Sequence, residues 1–138
     1  MDREGGQDGI LNNRMKTKTL VFTLGTNTRQ YENMAAARLQ LREHLPGIIF
    51  SANVWTDPIG IESDQFLNCV AMVTSTLPPD KLNTIVQEIE NSLGGKDHEN
   101  NIVNMDIDLL QYGQQKLKKQ DWQRPYVTEG IKEILDEE

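Results

Sequence analysis

Segments with strand-like and helix-like spacing of apolar residues follow one another in the order β-α-β-β-α-β, and that order constrains the fold more tightly than any single motif. Residues 19–24 are dense in β-formers and predict a first strand. Met34, Ala37, Leu41 and Leu45 recur at helical spacing and predict a helix over 29–45, stopped by Pro46-Gly47. A second strand is expected over 48–54 and a third over 66–74. The third is apolar on both faces, which suits the centre of a sheet. Leu82, Ile85, Val86, Ile89 and Leu93 form the stripe of a second helix over 79–93, opened by Pro78-Pro79 and stopped by Gly94-Gly95. The run 103–110 supplies the fourth strand. This order is the ferredoxin-like split βαβ arrangement, an α+β fold. It has a four-stranded antiparallel sheet with two helices on one face and the other face open.

The fourth strand carries the chemistry. Val103, Met105, Ile107 and Leu109 alternate with Asn104, Asp106 and Asp108, so both aspartates fall on one face. Carboxylates at i and i+2 of a strand lie about 6–7 Å apart and repel unless water or a cation separates them. Mg²⁺ takes such oxygen ligands and completes its shell with water and substrate phosphates. Two readings stay open from the strand alone: a metal–phosphate site on the open face of the sheet, or an acidic, solvated strand face.

Other segments carry paired readings of the same kind. Gly25-Thr26-Asn27-Thr28 reads as a tight exit from the first strand, with Asn27 or Thr28 capping the helix, or as a phosphate-binding turn. Residues 55–64 form a long Pro- and Gly-containing loop on which Trp55 and Ile59 either line a pocket or anchor the loop. Asn68 interrupts the central strand and must be satisfied by backbone or by a ligand edge. Gln87 and Glu90 flank the second helix stripe, and His98 sits in a polar loop where solvation is the expected state. Residues 116–119 are a basic segment expected to add a short strand. Thr128 is expected to cap a last short helix carrying Ile131, Ile134 and Leu135.

The chain has 138 residues, enough for one core, with residues 1–16 expected as a flexible polar leader and 17–138 as a single domain. The net charge of −7 argues against nucleic acid or an anionic membrane surface as the main partner. No run has the length of a membrane span. The lone cysteine, Cys69, lies in an apolar run with no base or cation beside it in sequence; a buried reduced thiol suits a cytoplasmic location.

The order of Leu24-Gly25-Thr26-Asn27, Thr56-Asp57-Pro58-Ile59-Gly60, Phe66-Leu67-Asn68, Gln87 with Glu90, and Asp106-Ile107-Asp108-Leu109-Leu110 resembles the 6-hydroxymethyl-7,8-dihydropterin pyrophosphokinases over residues 18–127. The resemblance implies the ferredoxin-like fold and transfer of the terminal diphosphate of ATP to a reduced pterin in folate biosynthesis. It implies that Asp106 and Asp108 hold two Mg²⁺ ions bound with ATP. It places Thr56, Ile59, Phe66 and Asn68 around the pterin, and Gln87 and Glu90 on the nucleotide side.

Departures from the family pattern fall mostly on its cations. Val103 stands where an arginine precedes the first aspartate, and Gly95, Lys96 and Asp97 stand where arginines follow the second helix. The family's loop tryptophan has no counterpart; the nearest candidates for its proline–histidine pair are Pro125-Tyr126 and Asp121-Trp122, neither of which supplies a histidine, and a further arginine and phenylalanine near the C-terminal helix have no clear match. No catalytic residue is assigned. Lys96, Lys116, Lys118, Lys119 and Arg124 are the candidate replacement cations. Without them, a pterin is expected to bind more readily than ATP and diphosphate transfer to be slow. The alternative is a non-catalytic relative that binds a pterin, a nucleotide or a protein partner.

Overall fold

The computed structural model describes residues 16–137, so the expected leader lies, but for Lys16, outside the described residues. The elements are β1 (Lys18–Thr26), α1 (Gln30–His44), β2 (Ile49–Phe50), β3 (Val54–Thr56), β4 (Phe66–Ser75), α2 (Pro79–Ser92), β5 (Lys96–Asp97), β6 (Ile102–Val103), β7 (Asp106–Tyr112), β8 (Gln115–Lys116) and α3 (Pro125–Glu137). A 3₁₀ turn over Lys119–Gln123 leads into α3.

The main sheet is antiparallel, in the order β2-β4-β1-β7-β8, with β3 also on β4. The α+β ferredoxin-like class stands, with six strands where four were expected. The expected second strand is divided: β2 and β3 both pair with β4, and residues 51–53 step out between them. Ser51 repairs the interruption. Its N–H donates to the Val70 carbonyl at 2.8 Å, and its hydroxyl accepts the Val70 N–H at 2.8 Å. The expected fourth strand begins only at Asp106, because Ile102–Val103 leaves the main sheet to pair with Lys96–Asp97.

Alternation along β1 and β4 divides the interior into two cores. Leu20, Phe22, Leu24, Cys69 and Ala71 face α1 and α2, meeting Met34, Ala37, Leu41, Leu82 and Ile89, together with Met105 and Ile107. Both helix stripes therefore bury against one face, as their spacing predicts. The opposite face is not open along its whole length. Val21, Val70 and Leu110 pack there against Val127 and Ile134 of α3. Leu110 reaches this side by alternation from Asp106 and Asp108, and a bulge in which Leu110 and Gln111 together oppose Val21 then returns Tyr112 to the helix-covered side. Gly130 lets α3 come close, since a Cβ there would lie 2.7 Å from Cγ2 of Val70. The helix begins at Pro125, so Thr128 lies inside its first turn rather than at the cap, its hydroxyl donating to the Pro125 carbonyl.

Asn27 does not cap α1. Its Nδ2 donates to the Asn101 carbonyl at 2.7 Å, and its Oδ1 accepts the Val103 N–H at 2.7 Å. The side chain thus ties the β5–β6 hairpin to the end of β1. The helix instead starts from Arg29 in a left-handed conformation, without a side-chain cap.

Candidate active site

The strand pairing places the candidate residues in two rows across the sheet. Asn68, Gly25 and Asp106 are aligned partners in one row; Val70, Thr23 and Asp108 form the next. Where α3 stops covering this face, these rows floor a cleft of about 210 Å³. Phe66, Asn68, Thr23, Gly25, Asp106 and Asp108 supply the floor. Asp57 and Ile59 reach in from the long loop, and Asp121, Arg124 and Tyr126 from the approach to α3. Both halves of the expected site, Phe66 with Asn68 and Asp106 with Asp108, thus line one cleft.

Asn68 is 3% exposed, and its amide is held by its own neighbours. Its Nδ2 donates to Thr56 Oγ1 at 2.7 Å and to the carbonyls of Val54 and Phe66 at 3.2 and 3.3 Å. The amide hydrogens are engaged within β3 and β4, which leaves Oδ1 on the Gly25 side as an acceptor for a ligand N–H. A Cβ on Gly25 would stand 2.9 Å from that Oδ1 and 3.7 Å from Phe66. Gly25 therefore keeps the floor open. Thr56 does not line the cleft and acts through Asn68. Ile59 is 75% exposed at the rim, while Trp55 lies elsewhere, edge-on to Tyr31 at 5.7 Å between ring centres.

Each aspartate is bound by a lysine. Lys96 Nζ lies 2.8 Å from Asp106 Oδ1, and Lys118 Nζ lies 2.7 Å from Asp108 Oδ1. Burial, together with the charge of Asp106, raises the Asp108 pKa despite the Lys118 contact. Lys96 and Lys118 are held above the usual lysine value. For Lys96, Asp106 outweighs a burial cost that acts in the opposite direction; for Lys118, the Asp108 contact leads. Arg124 lies over the Tyr126 ring at 4.8 Å, and both side chains line the cleft. They bring an arginine and an aromatic ring to the cleft. Burial raises the Tyr126 pKa, so it remains a neutral phenol. Of the other candidate cations, Lys116 lies over the Trp122 ring at 4.6 Å, and Lys119 is exposed outside the cleft lining.

Of the two residues expected on the nucleotide side, Glu90 is half-buried and its Oε2 accepts the Ile107 N–H at 2.7 Å. That N–H lies along the part of β7 that β8, paired only to Gln111 and Tyr112, leaves uncovered. Burial raises the Glu90 pKa against the pull of this hydrogen bond. Gln87 is exposed on α2, outside the cleft. A second groove of about 250 Å³ runs between α2 and β7, lined by Leu82, Asn83, Val86, Ile107, Leu109 and Lys118, and shares Asp108 with the first cleft. Cys69 is fully buried, with its thiol pushed up to about 11 chiefly by burial, so it is not a nucleophile. His98 lies in an exposed turn.

The donor set of the cleft suits a hard cation. Among the described residues no group of three or more His, Cys, Asp or Glu side chains is arranged to hold a metal ion. Two adjacent carboxylates beside an open cleft suit a cation that draws its remaining ligands from phosphate and water. No helix among the described residues is long and apolar enough to cross a membrane.

The family model for 7,8-dihydro-6-hydroxymethylpterin-pyrophosphokinase matches residues 21–136. A comparison with curated proteins returns no match.

Proposed function

The chain belongs to the 7,8-dihydro-6-hydroxymethylpterin-pyrophosphokinase family, and from that premise we propose that it transfers diphosphate from ATP to a reduced pterin in this cleft, with lysines in place of most of the family's arginines. One observation carries the reading: an aromatic and amide-lined pocket and a pair of cation-suited carboxylates line the same cleft. The pterin lies between Phe66 and Tyr126, a flat ring system against aromatic faces. The free Oδ1 of Asn68 accepts one of its N–H groups, and Thr56 holds that amide in place.

The nucleotide base occupies the groove between α2 and β7, and the polyphosphate crosses Asp108 toward the pterin. Asp106 and Asp108 would hold Mg²⁺, which would supply positive charge against the phosphate oxygens of ATP. The pterin hydroxymethyl oxygen forms a bond to the β-phosphorus. The bond from that phosphorus to the bridging oxygen of the α-phosphate breaks, and AMP and a proton leave. The protein's contribution is placement and charge. Lys96, Lys118 and Arg124 bring three positive charges to a cleft that also carries Asp57, Asp106, Asp108 and Asp121.

The test is a pair of calorimetric titrations, one with the reduced pterin and one with a non-hydrolysable ATP analogue plus Mg²⁺. Asn68→Ala is expected to weaken the first and spare the second, and Asp106→Ala to do the reverse. Wild-type protein that binds neither ligand would overturn the proposal.

A further inference from the structure

The two ion pairs at the mouth of the cleft match lysines to carboxylates one to one. Lys96 comes from β5 and takes Asp106; Lys118 comes from the segment after β8 and takes Asp108. Neither placement is accidental in backbone terms. The hairpin bearing Lys96 is fastened by Asn104, whose N–H and Nδ2 both reach the Gly95 carbonyl, at 3.2 and 3.1 Å. Lys118 sits in the left-handed region at φ 49°, ψ 60°, a conformation that costs a non-glycine residue energy and that directs this side chain at Asp108. The two ammonium groups together carry the charge of one divalent cation and occupy carboxylate oxygens that such a cation needs.

We infer that Lys96 and Lys118 are built-in competitors of the metal. They neutralise Asp106 and Asp108 in the free chain and move onto the polyphosphate when nucleotide and metal arrive together. The inference rests on the diphosphate-transfer reading of the cleft. A bare divalent cation must break two ion pairs and leave both ammonium groups with water alone. A nucleotide-borne cation brings phosphate oxygens that accept the displaced lysines, so binding of metal and nucleotide is positively coupled. By linkage each raises the affinity of the other by the same factor.

The experiment measures Mn²⁺ affinity by electron paramagnetic resonance, with and without a non-hydrolysable ATP analogue. Lys96→Met and Lys118→Met are each expected to tighten Mn²⁺ alone by about two- to five-fold, the range of partly exposed ion pairs, and the double variant by roughly the product. The same variants are expected to weaken the analogue in the presence of Mg²⁺, so the coupling shrinks from both sides. Lys96→Arg keeps a cation at Asp106 and is expected to leave Mn²⁺ affinity at the wild-type value, as is Lys119→Met. In unmutated protein, the ammonium resonances of Lys96 and Lys118 are expected to shift when the analogue and Mg²⁺ are added together and to stay in place with millimolar Mg²⁺ alone. Mn²⁺ affinity unchanged in the double variant, or ammonium resonances that do not move at saturating analogue and Mg²⁺, would overturn the inference. Tightened Mn²⁺ and weakened analogue in a chain that forms no AMP would support the exchange and overturn only the diphosphate-transfer reading.

Discussion

Replacing Gly25 by alanine tests the pocket floor without touching a functional side chain. Gly25 has no left-handed backbone requirement, so alanine is tolerated by the main chain and only the new Cβ acts. That Cβ would stand 2.9 Å from Asn68 Oδ1, closer than real Cβ contacts allow, and 3.7 Å from Phe66, an ordinary contact. Asn68 cannot swing aside freely, because its Nδ2 already donates to Thr56, Val54 and Phe66. Overpacking of this kind costs about 1–3 kcal/mol of stability. Displacing Oδ1 also removes its hydrogen bond to the ligand, worth about 0.5–1.5 kcal/mol, and the methyl group occupies floor the ring needs. The lost hydrogen bond alone predicts a fall in pterin affinity of roughly 2- to 10-fold, at about 1.4 kcal/mol per decade, and the methyl group deepens it. Affinity for the ATP analogue with Mg²⁺ should stay near wild type, because Asp108 and the α2–β7 groove are untouched. Urea denaturation and parallel titrations with the two ligands measure all three quantities. A Gly25→Ala protein that binds pterin at wild-type affinity would refute the placement of the pterin on this floor.

Other perturbations follow from the same geometry. Asn27→Ala removes two hydrogen bonds at 2.7 Å and strands the Asn101 carbonyl and Val103 N–H, so denaturation should show a loss of about 2–4 kcal/mol and hydrogen exchange should quicken at Val103. Gly130→Ala should destabilise by up to about 2 kcal/mol, because its Cβ meets buried Val70 at 2.7 Å, an overpacking cost of about 1–3 kcal/mol that alanine's better helix propensity of about 1 kcal/mol only partly offsets. Glu90 has a raised pKa in the folded chain, so the folded state holds its proton more tightly than the unfolded state does. Its contribution is therefore present below the unfolded value of 4.5 and lost as pH rises through the folded value; Glu90→Gln should flatten that part of a stability-against-pH curve. Asp108 is raised in the same sense, so metal–nucleotide affinity should begin to fall on acidification at a higher pH than an ordinary aspartate would give, as followed by calorimetry.

Much of this architecture was legible because apolar spacing reports burial directly. The stripes Met34-Ala37-Leu41 and Leu82-Ile89 bury where their periodicity placed them, and Asp106 and Asp108 share a face because strand side chains alternate. The second core was harder to read. β4 is apolar on both faces, which pointed only to a central place in a sheet expected to be open on one side; the stripe that covers part of that side, Val127, Gly130 and Ile134, spans barely two turns and includes a glycine. The break at residues 51–53 depends on a serine hydroxyl replacing a strand contact, and no local propensity marks it. Asn27 resembles a helix cap in sequence, and its partners lie more than 70 residues away. Lys96 and Lys118 were two of five candidate cations; only the hairpin fold and a left-handed backbone bring them to the aspartates. Tyr126 stood out in the sequence only within Pro125-Tyr126, a candidate for the proline–histidine pair, and its place in the cleft is set by how α3 docks.

The central claim is that the pterin pocket and the carboxylate pair act as one diphosphate-transfer site. Phosphorus NMR of the protein with ATP, Mg²⁺ and 6-hydroxymethyl-7,8-dihydropterin tests it most directly. The account predicts AMP and a pterin diphosphate appearing in equal amounts, only when pterin and Mg²⁺ are both present, and neither product with Asp106→Ala. ATP left intact over many hours by protein shown to bind both ligands, or hydrolysed to ADP and phosphate without a pterin product, would contradict it.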